Sequence, residues 1–173
     1  LERLAAIEGV WVPSTTGWDV GDGGRPIGLR SRVGGPTRFR KRNIRDLDSA
    51  PSPENPIVPF RELVHDRAVI EIARGCMAGC RFCHAGYIYR PFRERSADRI
   101  IELAGKNIRA TGYDQVSLLS LSCSSHSEFP DLVSRLARRF TPERVSVSLP
   151  AQRLDLFRPE FADDVSQVVK SGI

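Results

Sequence analysis

One rhythm dominates residues 68–172: a short β-branched run, a loop, then apolar residues at helical spacing, three times over. Ala68–Ala73, Val116–Leu121 and Arg144–Leu149 read as buried strands. Between them, Ile100, Ile101, Leu103, Ala104 and Ile108 share one helix face, with Ser96 as N-cap and Gly112 past the C-terminus. Leu132, Val133, Leu136, Ala137 and Phe140 mark a second helix. Phe161, Val165, Val168 and Val169 mark a third, closing at Ser171-Gly172. Strands alternating with helices over short links form βαβ units and a parallel sheet. The expected fold class is therefore α/β. Parallel strands need helices on both faces or closure into a barrel, and three strands achieve neither. The chain opens on Leu1 and stops where a fourth strand is due. The reading is thus a partial (β/α) barrel, its first three βα units, cut from a longer or processed chain.

The first half reads differently. Leu1, Leu4 and Ala5 fit the end of a helix stopped by Gly9, and Gly21–Gly24 reads as the turn of a β-hairpin. The basic stretch Thr37–Ile44 is expected as an edge strand. Residues 49–60 hold four prolines, which block helix and ladder alike, so an extended linker is expected with a boundary near residue 60. Residues 1–60 form an irregular, hairpin-containing connector and residues 61–173 the barrel half. Trp11 and Trp18 are expected to anchor a small core in the first part.

The net charge is +5, with Arg38, Arg40, Lys41 and Arg42 and later arginine groups, acids interleaving in the second half. This reads as a solvated surface with anion-handling arginines rather than a nucleic-acid interface. No apolar run reaches the length of a membrane span and no secretion signal opens the chain. Of the four cysteines, three crowd into eight residues, which suits reduced thiols in the cytoplasm better than a disulfide framework.

Those three lie in Arg74-Gly75-Cys76-Met77-Ala78-Gly79-Cys80-Arg81-Phe82-Cys83-His84, directly after the first strand. Three thiolates on a tight loop can meet one metal core. Gly75 and Gly79 allow the backbone angles such a loop requires, and Arg74 and Arg81 favour the thiolate form. Cubane clusters usually take four cysteines. The shortfall has three readings: Cys123 at the end of the second strand completes the set, His84 joins a zinc site, or one iron is left open. A zinc site matches the spacing of common zinc modules poorly. His84, Tyr87, Tyr89 and Arg90 follow the loop and can line a site, whereas His65 and His126 read as structural.

The pattern C-x-x-x-C-x-aromatic-C after a first strand, with three βα units in register, resembles the radical S-adenosylmethionine (SAM) superfamily. Val64-His65-Asp66-Arg67, Tyr89–Ser96, Thr111-Gly112-Tyr113, Ser117–Ser122 and Arg144–Pro150 are similar to large, poorly characterised members with an N-terminal domain like those that bind cobalamin. The resemblance implies that Cys76, Cys80 and Cys83 hold a [4Fe–4S] cluster whose fourth iron binds SAM. It implies a radical SAM enzyme that abstracts hydrogen from an unknown substrate and draws electrons from reduced flavodoxin or ferredoxin. It makes residues 1–60 the connector from a preceding cobalamin-binding-like domain, with cobalamin itself a possible cofactor there. It places Phe82 near the adenine of SAM. Ser120 and Ser122 stand where other members carry a Gly-Gly-Glu-like segment that binds the SAM amino group; the Leu-Ser-Leu-Ser found here departs from it. The alternative from another class is a non-catalytic iron–sulfur relay or structural module with Cys123 as fourth ligand. A nucleic-acid-binding protein with a structural zinc rests on net charge alone.

Overall fold

The computed structural model describes residues 1–61 and 63–156, so the expected third helix lies outside the described residues. Internal contacts divide the chain into two compact units, Leu1–Ile44 and Arg45–Ile173.

The first unit opens with a single helical turn, α1 (Glu2–Ala5), and is built on the antiparallel hairpin β1 (Thr16–Val20) and β2 (Pro26–Ser31). Gly23 and Gly24, both at φ 78°, turn the chain between them. Trp11 donates its indole N–H to Thr16 Oγ1 at 2.9 Å and its ring meets Phe39 with centroids 6.5 Å apart. Trp11 and Trp18 remain 44% and 55% exposed, so neither is the core anchor expected of it. A lone two-stranded ribbon has no second layer with which to enclose an indole. The edge strand expected over 37–44 does not form. That segment runs against Gly9 instead, where Arg42 Cγ and the Arg40 carbonyl approach within 2.8 and 3.0 Å of the position a β-carbon would take.

In the second unit, β3 (Ala68–Glu71) is followed by the two-residue strand β4 (Ala73–Arg74), helix α2 (Ala85–Ile88), strand β5 (Arg93–Glu94) and helix α3 (Ala97–Thr111). Strand β6 (Gln115–Leu119), helix α4 (Phe129–Phe140) and strand β7 (Ser146–Ser148) complete it. The main sheet is parallel in the order β3-β6-β7, Ala68 opposite Val116 and Val116 opposite Val147. The mixed α/β class and parallel sheet expected from the sequence are therefore present.

Alternation decides which face of the sheet is buried. Ala68, Ile70, Val116, Leu118 and Val147 point at Ile100, Leu103 and Ala104 of α3 and Leu132, Val133 and Leu136 of α4, forming one core. Each fully buried Ile or Leu there contributes roughly 1.5–3 kcal/mol. Val69 and Leu119, one residue out of phase, stay 48% and 52% exposed on the opposite face. Helix α3 starts and stops as its sequence dictates: Ser96 accepts the Arg99 N–H, and Gly112 at φ 74° closes the last turn on the Ile108 carbonyl.

The proline-rich stretch is extended and carries neither helix nor strand, yet it packs within the second unit. Leu47 and Ala50 are buried. Asp48 accepts the Ser96 N–H at 2.8 Å, Glu54 meets Lys106 at 2.8 Å, and Asn107 donates to the Pro53 carbonyl at 2.9 Å. Among the described residues, no helix is long and apolar enough to cross a membrane.

Candidate metal centre

The chain leaves the carboxyl end of β3 and enters a long excursion that carries the clustered cysteines. Strands β4 and β5 pair antiparallel, Ala73 opposite Glu94 and Arg74 opposite Arg93, and close that excursion at its base. Glycine is obligatory at two points in it. Gly75 lies at φ 88°, and a β-carbon there would stand 2.6 Å from the Tyr89 carbonyl oxygen and 2.8 Å from that of Pro91. At Gly86, in α2, a β-carbon would stand 2.6 Å from the Ala78 carbonyl oxygen. Contact that close forces the neighbouring backbone to move. Gly75 thus does what the sequence suggests, while Gly79 is absent from the positive-φ residues and instead offers its carbonyl to the Tyr87 hydroxyl at 3.3 Å. Gly86 was not anticipated, because the close backbone it clears is contributed by the loop packed over it.

Cys76, Cys80 and Cys83 are free thiols with unequal exposure: buried, exposed and half-buried. A turn joins the last two, Cys83 N–H donating to the Cys80 carbonyl at 3.1 Å. Among the described residues no three His, Cys, Asp or Glu groups converge as ligands of one ion. A single zinc needs its sulfurs gathered at about 2.3 Å from one centre. A cluster with several irons asks less convergence of the thiolates, each of which binds its own iron. The donor set of three uncommitted thiols on one closed loop fits that second arrangement.

Cys123 is different. It is fully buried in the α3–α4 core, its thiol within 3.7 Å of the Leu118 carbonyl and of Ser120 Oγ. Burial pushes the Cys123 thiol up, against ionisation. A metal-ligating sulfur needs the reverse.

Phe82 stands 91% exposed on the loop and does not pack it down. Ser120 Oγ accepts the Ser122 N–H at 3.0 Å, and buried Ser122 shares a 2.7 Å hydrogen bond with Ser125, so both hydroxyls act within the turn that ends β6. Arg90 lies over the Tyr87 ring at 5.2 Å. His126 is structural as expected: its Nε2 donates to the Arg95 carbonyl at 2.8 Å and its Nδ1 accepts the Glu128 N–H at 3.2 Å.

Three charged residues escaped sequence reasoning: Glu71, Arg95 and Arg153. Arg74 grips Glu71 with two hydrogen bonds of 2.6 and 2.9 Å. Arg95 is fully buried beside that pair. Arg153, beyond β7, forms a fork with Asp155 at 3.0 and 2.6 Å, and its N–H reaches Ser124 Oγ at 3.0 Å. The Arg153 guanidinium is pushed up chiefly by its hydrogen bonds to Asp155. A cation just past the carboxyl end of a parallel strand was the available signal, since those ends share one side of the sheet.

Residues 70–170 match the radical SAM superfamily. The chain belongs to the radical SAM superfamily. That membership generally implies an enzyme with a [4Fe–4S] cluster and SAM. A 68-residue stretch, 39% of the chain, is 34% identical to an uncharacterized protein of Methanocaldococcus jannaschii. The match spans 15% of that relative's length.

Proposed function

We propose that this chain is the cluster-binding part of a radical SAM enzyme, the first βα units of its barrel. In this reading Cys76, Cys80 and Cys83 each ligate one iron of a [4Fe–4S] cluster and leave a fourth iron to the amino and carboxylate groups of SAM. The observation that carries it is the closed loop of three free thiols at the carboxyl end of β3, within a superfamily match at residues 70–170. A cluster held by these cysteines would supply the electron for reductive cleavage of SAM, the chemistry that generates a radical able to take hydrogen from a substrate.

The chain's own residues hold and orient. Gly75 and the β4–β5 pair fix where the loop leaves the sheet. Cys76, being buried, would hold its part of a cluster away from solvent and so limit side reactions. Arg153 offsets part of the negative charge of the ligating thiolates. Exposed Phe82 lies against the SAM adenine, and the turn at Ser120 and Ser122 borders the methionine end. Reduced flavodoxin or ferredoxin is the electron donor. Cys123 as fourth ligand in a relay module is disfavoured by its buried, neutral thiol.

The test is anaerobic reconstitution with iron and sulfide, followed by EPR of the reduced protein with and without SAM. A [4Fe–4S] signal that shifts on adding SAM is expected. A cluster indifferent to SAM, or a preparation that holds zinc, would sink the reading.

A further inference from the structure

Of the three thiols on the loop, Cys80 has the least around it. It is exposed, and so are its neighbours Gly79, Arg81 and Phe82, whereas Cys76 is buried and Cys83 half-buried. A side chain without packing is aimed by its backbone. The two rigid peptide planes that flank Cys80 therefore decide where its sulfur points.

Both planes are tied down. The peptide after Cys80 gives its carbonyl to the Cys83 N–H at 3.1 Å. The peptide before it, between Gly79 and Cys80, gives its carbonyl to the Tyr87 hydroxyl at 3.3 Å. The first tie is a local turn. The second reaches across from helix α2, the turn of helix that follows the cysteines.

Helix α2 is pressed onto this span of the loop. Buried Gly86 lies against Ala78, whose carbonyl oxygen would stand 2.6 Å from a β-carbon at that position. Ala78 and Gly79 directly precede Cys80, so successive residues of α2, Gly86 and Tyr87, meet successive residues of the loop. The close approach that Gly86 permits sets Tyr87 beside Gly79, and Gly79 leaves it room: a β-carbon there would lie 3.9 Å from the Tyr87 hydroxyl. Tyr87 is half-exposed, so water competes for its hydroxyl. Arg90 offsets that freedom. Its guanidinium carbon lies 5.2 Å from the ring centroid, within cation–π range, and steadies the ring.

We propose that Tyr87 is a positioning residue for Cys80: its hydroxyl, steadied by Arg90, fixes the Gly79–Cys80 peptide and with it the direction in which the most exposed thiolate meets its iron. The inference rests on the reading that Cys76, Cys80 and Cys83 hold an iron–sulfur cluster. Partners that orient a metal ligand in this way tune how firmly the metal is held.

The experiment compares the reconstituted parent chain with Tyr87→Phe, Tyr87→para-aminophenylalanine and Arg90→Ala. Tyr87→Phe keeps the ring and deletes the hydroxyl alone. Two quantities are read: the rate at which a ferrous chelator strips iron, and the EPR line width of the reduced cluster. Tyr87→Phe should release iron roughly two- to fivefold faster, the range for one long, exposed hydrogen bond. Its EPR signal should broaden as the Cys80 sulfur samples several orientations. Tyr87→para-aminophenylalanine restores a donor at the same ring position and should bring both quantities back towards the parent values, which packing alone would not do. Arg90→Ala should act in the direction of Tyr87→Phe and less strongly. The urea midpoint of the iron-free chain should stay nearly unchanged in Tyr87→Phe. A parent chain that takes up no cluster overturns the underlying reading and this inference with it. A parent cluster with unchanged iron release and line width in Tyr87→Phe overturns the inference alone. So does a para-aminophenylalanine variant that behaves like Tyr87→Phe, or a fall in the urea midpoint that accounts for the lost iron.

Discussion

Arg95 and Glu71 form an unequal pair: Nη2 of the fully buried arginine stands 3.8 Å from the carboxylate, while Glu71 spends both of its short hydrogen bonds on Arg74. Arg95 reaches the same residue through its backbone, Nε donating to the Glu71 carbonyl at 3.1 Å. Its two terminal nitrogens have no hydrogen-bond partner among the described residues. Desolvation dominates and pushes the Arg95 guanidinium down, with Glu71 and then Asp48 opposing. Glu71 therefore links a buried cation to the residue that precedes Gly75 and the cysteine loop.

Removing the acid should therefore harm more than removing the buried base. Glu71→Gln leaves the buried Arg95 charge with only the more distant help of Asp48, and its cost is expected to fall short of the roughly 3–5 kcal/mol of a fully buried pair. Arg95→Met deletes that charge and fills much of its volume, so a smaller loss is expected. Urea unfolding of both variants checks the order. An Arg95→Met loss as large as that of Glu71→Gln would mean that Arg95 acts through its hydrogen bonds rather than as a charge needing compensation.

Gly75→Ala should distort the cysteine loop while sparing the sheet. The left-handed backbone costs roughly 1–2 kcal/mol for a residue with a β-carbon, and two carbonyl oxygens at 2.6 and 2.8 Å must move as well. The expected outcome is reduced iron and sulfide per chain after reconstitution, with far-UV circular dichroism retained. Gly86→Ala, which meets the Ala78 carbonyl at 2.6 Å, should behave alike. Gly79→Ala, whose β-carbon has only the Tyr87 hydroxyl within reach at 3.9 Å, should not.

The four cysteines should separate into two classes. Replacing Cys76, Cys80 or Cys83 by alanine should abolish the cluster and leave the unfolding midpoint of the iron-free chain nearly unchanged. Cys123→Ser should do the opposite: it keeps the cluster and lowers the midpoint, because a hydroxyl replaces a sulfur in an apolar core. Iron analysis with urea unfolding reads both effects.

Arg153→Met should make the reconstituted cluster harder to reduce. Losing a nearby cation lowers a one-electron midpoint, because the reduced cluster carries one more negative charge. Redox titration followed by EPR checks the sign. An unchanged or raised midpoint would remove Arg153 from the site.

Acid should loosen the extended 49–60 stretch from α3. Lys106 and Arg99 hold the Glu102 carboxylate down at about 2, from an ordinary value of 4.5, and Lys106 chiefly lowers Glu54 too. Carboxylates whose folded values are depressed stabilise the fold above the ordinary value and lose that contribution as pH falls towards the folded one. Hydrogen-exchange protection factors, corrected for the intrinsic rate, should therefore fall around Glu54 and around Glu102 and Lys106 of α3 between pH 4.5 and about 2. Both groups are exposed, so salt should weaken the effect.

Local rules written in the sequence determined much of this protein. The period of Ile100, Leu103, Ala104 and Ile108, the cap at Ser96 and the stop at Gly112 depend on near neighbours alone, and α3 follows them. The same holds for the glycine turn of the hairpin and for the spacing of Cys76, Cys80 and Cys83. Tertiary structure decided whatever depends on residues far apart in the chain. The 49–60 stretch reads as a linker because prolines forbid regular structure, but its ties to Lys106 and Asn107 come from a helix some fifty positions on. Thr37–Ile44 has the composition of an edge strand but no ladder to join, and it runs against Gly9 instead. Cys123 looks like a candidate ligand until burial neutralises it. Arg95 and Glu71 look like ordinary surface charges until the fold removes water from the first and ties the second to Arg74 at the start of the cysteine loop. Burial and through-space charge are properties of what surrounds a side chain, and spacing along the chain does not encode them.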